Sequence, residues 1–211
     1  MLAHFYHVWA DGAWEAPVAE HLAALDEYGL GDALDYKAAG VVGSPVNCQA
    51  AIAALGPGWQ IAATAGTGAE EVTLARLHAF AAQDGTVLYA HTKGAYRLAP
   101  SNILWRRRMT EYAVGMWERC VAALQDGCDC AGPHWITPDR FEVPKPFFAG
   151  NFWWARLDFL RRLPVPAGPD RYAAERWIGE TTVPEVLNLL PVWPTNGLEA
   201  WAAGGWWGGQ P

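Results

Sequence analysis

Residues 86–94, TVLYAHTKG, change character halfway along. The first five are a β-rich apolar run, bounded by Asp84-Gly85 before it and Gly94 after it, which predicts a short buried strand over 86–90. The run then gives way to His91, Thr92 and Lys93, an imidazole, a hydroxyl and an ammonium in sequence. Ligands of open α/β sheets sit at the carboxyl ends of strands, so this strand end is a candidate floor for an anionic ligand. A surface turn with a solvated lysine is the competing reading. Arg106, Arg107 and Arg108 bring more positive charge to the start of a predicted helix, where the dipole mildly disfavours cations. An anion is therefore expected opposite at least one of them, and water around at least one other.

Later stretches carry further chemistry. Residues 147–156 read FFAGNFWWAR, in which 151–155 predict a strand and Gly150 permits close backbone approach at its mouth. Trp153 and Trp154 point to opposite faces of such a strand, so at most one faces a site while the other packs in the core. Residues 170–179, DRYAAERWIG, predict a short helix in which Glu175 shares a turn with Trp177 and so lies next to apolar structure. Cys48, Cys120, Cys128 and Cys130 form no CxxC pair, and Cys128-x-Cys130 lacks nearby His at finger spacing, which argues against a zinc site. They read as reduced thiols of a cytoplasmic protein.

With 211 residues, 52% of them apolar, the chain can bury a proper core. One domain is expected over 1–194, with a Gly/Trp-rich tail over 195–211 that wraps the domain, frays or folds over a site. Thirteen Trp exceed ordinary usage, and Trp suits cores and sugar- or base-stacking surfaces alike. A formal net charge of −7 argues against broad binding to a nucleic-acid backbone. No signal peptide is expected at the N-terminus, and no apolar stretch is long enough to span a bilayer.

The elements that position these residues follow from periodicity. Residues 4–10, HFYHVWA, predict a first strand ended by Asp11-Gly12. Trp14, Val18, Leu22 and Leu25 recur on one helical face, and Gly29 is a natural stop. Residues 36–42 and 59–64 predict the next strands. Asn47 is the expected cap of a short helix to Leu55, and Thr67 to Glu70 has the form of a capping box before a helix to about Ala82. This alternation implies the α/β class: a mostly parallel sheet with helices on both faces. Ser101 is the expected cap of one long helix to about Gln125, with Trp105, Met109, Tyr112, Met116, Cys120 and Leu124 as its apolar stripe. A short strand over 130–135, a Pro-rich passage over 138–146 and a short helix over 157–163 make a smaller mixed C-terminal part.

Taken together, TVLYAHTKGA, Trp105-Arg106, FFAGNFWWAR and RYAAERWIG resemble a small glycosyltransferase-like family related to the rhamnan synthesis protein F group, with a GT-A-like fold. The resemblance spans roughly residues 5–179. It implies transfer of a sugar from a nucleotide-diphosphate sugar of UDP, GDP or TDP type to a hydroxyl acceptor. Donor base and ribose would lie over the first strands, which puts His7 and Trp9 on the donor side with His91, Thr92, Lys93, Trp105 and Arg106. In that fold an Asp-x-Asp normally ends the fourth strand and holds Mn²⁺ or Mg²⁺ across the diphosphate. Here His91-Thr92-Lys93 takes that place and lacks the hard oxygen donors such ions need. The inference is that Lys93, helped by Arg106, neutralises the leaving diphosphate without a metal. His91 would donate to a phosphate oxygen or, as the lesser expectation, hold a divalent ion with a distant carboxylate. The resemblance also implies an inverting enzyme in which Glu175, with Asp170 in reserve, is the general base. Asn151 and one of Trp153 and Trp154 would meet the acceptor.

A rival reading is a degenerate domain that keeps a sugar-nucleotide or carbohydrate pocket without turnover, suggested by the missing Asp-x-Asp. A nucleotide-binding redox enzyme is disfavoured, because no G-x-G-x-x-G follows the first strand. A glycan, a protein glycan or a surface-type hydroxyl fits as acceptor better than a nucleic acid, given the acidic charge.

Overall fold

Strand β1 (Leu2–Trp9) is buried everywhere except at its two ends, as a strand covered on both faces must be. The computed structural model describes residues 1–96, 99–168, 171–180 and 184–190. Alternating residues of β1 show what covers each face. His4 and Tyr6 meet His21 of helix α1 (Glu15–Glu27), whereas Phe5 and His7 meet Phe80 and Thr73 of helix α4 (Glu71–Phe80). The two helices therefore lie on opposite sides of the sheet. The short helices α2 (Leu30–Ala33) and α7 (Leu157–Leu160) are single turns.

The other strands are β2 (Tyr36–Val42), β3 (Gln60–Ala65), β4 (Thr86–His91), β5 (Cys130–Pro133), β8 (Trp153–Arg156) and β9 (Val186–Leu190). They form one seven-stranded sheet in the order β3-β2-β1-β4-β8-β5-β9. Every pairing is parallel except those of β8, which runs against both β4 and β5. The expected mostly parallel α/β sheet flanked by helices is thus what the chain adopts. A short ribbon of β6 (Trp135–Ile136) and β7 (Phe147–Phe148) lies outside that sheet. Strand β9, in a stretch with no expected element, forms the edge beyond β5. The Trp-rich tail, with Trp201, Trp206 and Trp207, lies outside the described residues.

Several local expectations are corrected. Ser44, not Asn47, caps helix α3 (Pro45–Leu55): its hydroxyl accepts from Asn47 N, and the Asn47 amide donates instead to Asp11. The helix expected over 101–125 is two, α5 (Pro100–Ala113) and α6 (Trp117–Gln125). At the break the Gly115 N–H reaches back to Thr110 O, and Trp117 Nε1 donates to Tyr28 O at the end of α1. The proposed stripe splits accordingly: Met109, Cys120 and Leu124 are buried, while Met116 is exposed. Gly40 has no side chain because a Cβ there would sit 2.0 Å from Thr73 Oγ1, and this close approach seats the start of α4 on the sheet.

The α1 face of the sheet holds a buried imidazole pair. His4 Nε2 and His21 Nε2 are 2.7 Å apart, so one donates and the other accepts, which requires at least one neutral ring. Burial pushes His4 from 6.5 down to about 4 and holds His21 well below its ordinary value. The unfolded chain therefore binds more protons than the native one between these limits, and stability falls as pH drops through that window. Urea midpoints should be level above pH 7 and decline from about pH 6.5 toward pH 4. His4→Gln should flatten that decline, and an unchanged slope in the variant would contradict this assignment.

Candidate functional site

The strand order turns at β1 and β4, where chain order runs down to β1 and then steps out to β4. Crevices at such switch points, outside the carboxyl ends of the strands, are where open α/β sheets bind ligands. His7 and His91 are register partners there, so residues 91–93 emerge beside the end of β1. The backbone of this turn is pinned on all sides. Thr92 N donates to His7 O at 2.9 Å, and the Thr92 hydroxyl accepts from Trp9 N at 2.9 Å. Lys93 N donates to His91 O, and Lys93 O accepts from Arg106 Nη1 at 2.8 Å. Gly94, at φ 84°, turns the chain where an added Cβ would meet Asn102 of α5.

The side chain of Lys93 is 90% buried, and its Nζ lies 3.5 Å from Glu175 Oε1, itself 91% buried. Glu175 stands on helix α8 (Arg171–Arg176). The following turn is anchored by Trp177, whose Nε1 donates to Pro164 O at 2.7 Å. The sequence thus brings two of its candidates together, the ammonium at the end of β4 and the late carboxylate. Asp170 lies outside the described residues.

Arg106 is placed differently from its expected role. It is buried, and its Nε and Nη2 both bind Glu20 Oε2 of α1, while Arg107 binds Glu20 Oε1. Burial acts to raise the Glu20 carboxyl, but these arginines outweigh it and hold the group below its usual range. The anion expected opposite the arginines is therefore a carboxylate of the chain itself, and Arg108 is exposed. Arg106 acts on the site by fixing the Lys93 carbonyl. Trp105 is buried, with its ring stacked on His134 at 4.5 Å. Gly150 lets the chain pass it, since a Cβ there would lie 2.5 Å from Trp105 Nε1.

Beside this pair, on the α4 face, lies a polar cluster built on Glu70. Its Oε2 accepts from Tyr89 OH at 2.9 Å and from Asn151 Nδ2 at 2.6 Å, and its Oε1 is 3.5 Å from His91 Nδ1. The other nitrogen of His91 donates to Gly150 O at 2.9 Å. Burial, reinforced by the Glu70 charge, pushes the Tyr89 phenol well above its ordinary value. His7 bonds Thr73 Oγ1 at 2.7 Å, and burial pushes its pKa from 6.5 to about 4, so it is neutral at pH 7. The expected capping box does not form, because Glu70 turns into this cluster and Glu71 instead accepts from Ala69 N.

The expected acceptor residues are inside. Asn151 is buried in a left-handed turn at φ 57°, and its Oδ1 accepts from Trp153 Nε1 at 2.7 Å. Trp153 and Trp154 do take opposite faces, but both are fully buried: Trp153 stacks on Tyr89, and Trp154 Nε1 donates to Ala113 O. Neither offers a surface to an acceptor. Trp153, stacked on Tyr89, supports the cluster from its own face, while Trp154 packs on the α5 side of the sheet. Of the first-strand residues, His7 is buried and Trp9 is half-buried at the strand end.

The residues at the end of β4 do not fit a divalent cation. Lys93 brings an ammonium, the nearby Glu175 carboxylate lies 3.5 Å from it, and the Glu70 oxygens face Tyr89, Asn151 and His91. Among the described residues no group of three or more His, Cys, Asp or Glu could hold a metal ion. Sequence marks Glu70 only as part of a capping box and does not single out Glu20, Thr73 or Tyr89 for the site; only the folded neighbours do so.

Residues 5–167 match the family model described as a domain of unknown function, DUF8361, and the chain belongs to that family. No curated protein matches it in sequence. Among solved structures it is similar to a "putative nucleotide-diphospho-sugar transferase" from Desulfovibrio desulfuricans G20. That similarity has 18% identity and a TM-score of 0.43, covering 90% of this chain and 80% of the other.

A buried carboxylate loses much when a donor is removed. Tyr89→Phe should lower stability by about 1.5–3 kcal/mol, the range for hydrogen bonds to charged groups, measured by urea unfolding. A cost below about 0.5 kcal/mol would mean that the Tyr89 bond to Glu70 does not form in the native state.

Proposed function

We propose that this DUF8361-family protein is a glycosyltransferase that moves a sugar from a nucleotide-diphosphate sugar to a hydroxyl acceptor. The observation that carries the reading is Lys93. Its ammonium lies nearly buried at the switch-point end of β4 and has three donors, of which one long contact to Glu175 uses one. A diphosphate leaving group suits such a site, since a compact positive charge offsets the negative charge that develops as the bond to the sugar breaks. The HTKG and GNFWWA stretches, similar to the rhamnan synthesis protein F group and to the GT-A fold, support the same class.

Glu175 is the general base. The acceptor oxygen bonds to the anomeric carbon while its proton passes to the Glu175 carboxylate. The bond from that carbon to the diphosphate oxygen breaks with its electron pair on the diphosphate, beside Lys93. Glu175 later gives the proton to solvent. Such a single displacement inverts the anomeric centre, because nucleophile and leaving group occupy opposite faces of the carbon. In this reading Lys93 supplies the positive charge opposite the diphosphate, and no step is routed through a divalent ion. A panel of UDP-, GDP- and TDP-sugars identifies the base carried by the nucleotide.

Lys93→Met should lower the rate of nucleoside diphosphate release from the preferred donor by about 10²-fold or more, while EDTA leaves the wild-type rate in place. Complete loss in EDTA, restored by Mn²⁺, would overturn the metal-free form of the reading. Tight binding of a nucleotide sugar with no release of nucleoside diphosphate would identify a binding module instead.

A further inference from the structure

Resting on the transferase reading, we infer that Glu175 is also the resident anion of the diphosphate site: it occupies Lys93 until the donor arrives, and the donor's diphosphate releases it to act as the base. The pair is poorly explained as a stabilising salt bridge. Both side chains are about nine-tenths buried, and their closest atoms are 3.5 Å apart, well beyond the 2.7–2.9 Å of a strong charge-assisted bond. Among the described residues neither Lys93 Nζ nor the Glu175 carboxylate has a second hydrogen bond. Desolvating two ions can cost more than a pair at this distance returns, so the pair is weak evidence of a stabilising role.

The surroundings allow the exchange by side-chain motion alone. The Lys93 backbone is held at its N–H by His91 O and at its C=O by Arg106, which is itself locked to Glu20. Glu175 sits one turn ahead of Trp177, Ile178 and Gly179, all buried, and a Cβ on Gly179 would lie 1.9 Å from Pro146 O. Both ends are rigid, so the bistable element is the ion pair itself. A phosphate oxygen offers Lys93 a shorter bond and repels the carboxylate beside it. Glu175 then moves away from the leaving group, toward the side from which an acceptor must attack. Without the donor, the base is neutralised by its own partner, so an acceptor hydroxyl or water at the site is not activated. Donor binding precedes acceptor activation, and idle hydrolysis is suppressed.

The consequence is opposite to that of an ordinary binding residue: removing Glu175 should improve diphosphate binding. By calorimetry on the full chain with UDP, GDP, TDP and pyrophosphate, Glu175→Gln should tighten the best-binding probe by about fivefold or more. Transfer should fall by about 10²–10⁴-fold in the same variant. In a Lys93→Met background the Glu175→Gln change should bring no tightening. Glu175→Asp, which keeps the charge but draws it back by one methylene, should tighten binding by a smaller factor. This second variant also serves where Glu175→Gln does not fold, as judged by thermal unfolding. Equal or weaker binding in both variants, or the same tightening with Lys93 absent, would overturn the exchange while leaving the transferase reading intact. No binding of any probe to wild type or variant would overturn both.

Discussion

Glu70 is a carboxylate that water hardly reaches, and the end of the sheet is arranged around satisfying it. Its donors come from separate parts of the chain: Tyr89 from β4, Asn151 from the turn before β8, with His91 close by at the end of β4. Each of these is fixed in turn by something else. Asn151 is held by Trp153, His91 by the Gly150 carbonyl, and Gly150 by lying against Trp105 and Met109 with no room for a side chain. A buried charge left with too few donors is costly, so the cluster can form in few ways other than complete. That requirement explains why the GNFWW stretch is interior even though its residue types would suit a sugar-binding surface.

The same constraint distinguishes the two groups that are not satisfied so well. Lys93 and Glu175 lie beside the cluster, equally removed from water, but share one long contact and have no second side-chain hydrogen bond among the described residues. Arg106 shows what a fully paired buried cation looks like here, with Glu20 and the Lys93 carbonyl occupying all three of its nitrogens. One cation is built into the scaffold, and the other keeps bonding capacity at the strand end. The proposed reading gives the chemistry to the residues with unused bonding capacity, and support to those without it.

Much of the frame was legible because it obeys local rules. The sequence shows β2 at its observed bounds, and it marks the turn after β4 by the abrupt change from apolar residues to His91, Thr92 and Lys93. It also places Glu175 on a short late helix against apolar structure, where it is found. What it does not show is long-range pairing. Glu70 three residues after Thr67 satisfies the pattern of a cap, yet the carboxylate finds better partners on β4 and before β8. Arg106 looks like a free cation until Glu20, on α1, is brought opposite. Trp153 and Trp154 alternate as a strand requires, but periodicity could not tell that both faces of that strand are covered, which depends on segments distant in sequence: Trp154 meets the end of α5 and Trp153 lies by Trp177. The break between α5 and α6 was hidden for the same reason, since the apolar stripe continues through it in sequence.

The most direct measurement is a crystal structure of the full chain with a bound nucleoside diphosphate. A phosphate oxygen within about 3 Å of Lys93 Nζ, with the Glu175 carboxylate withdrawn from it, is the predicted result. A nucleotide seated elsewhere, with Lys93 and Glu175 still paired and no phosphate near the end of β4, would contradict it.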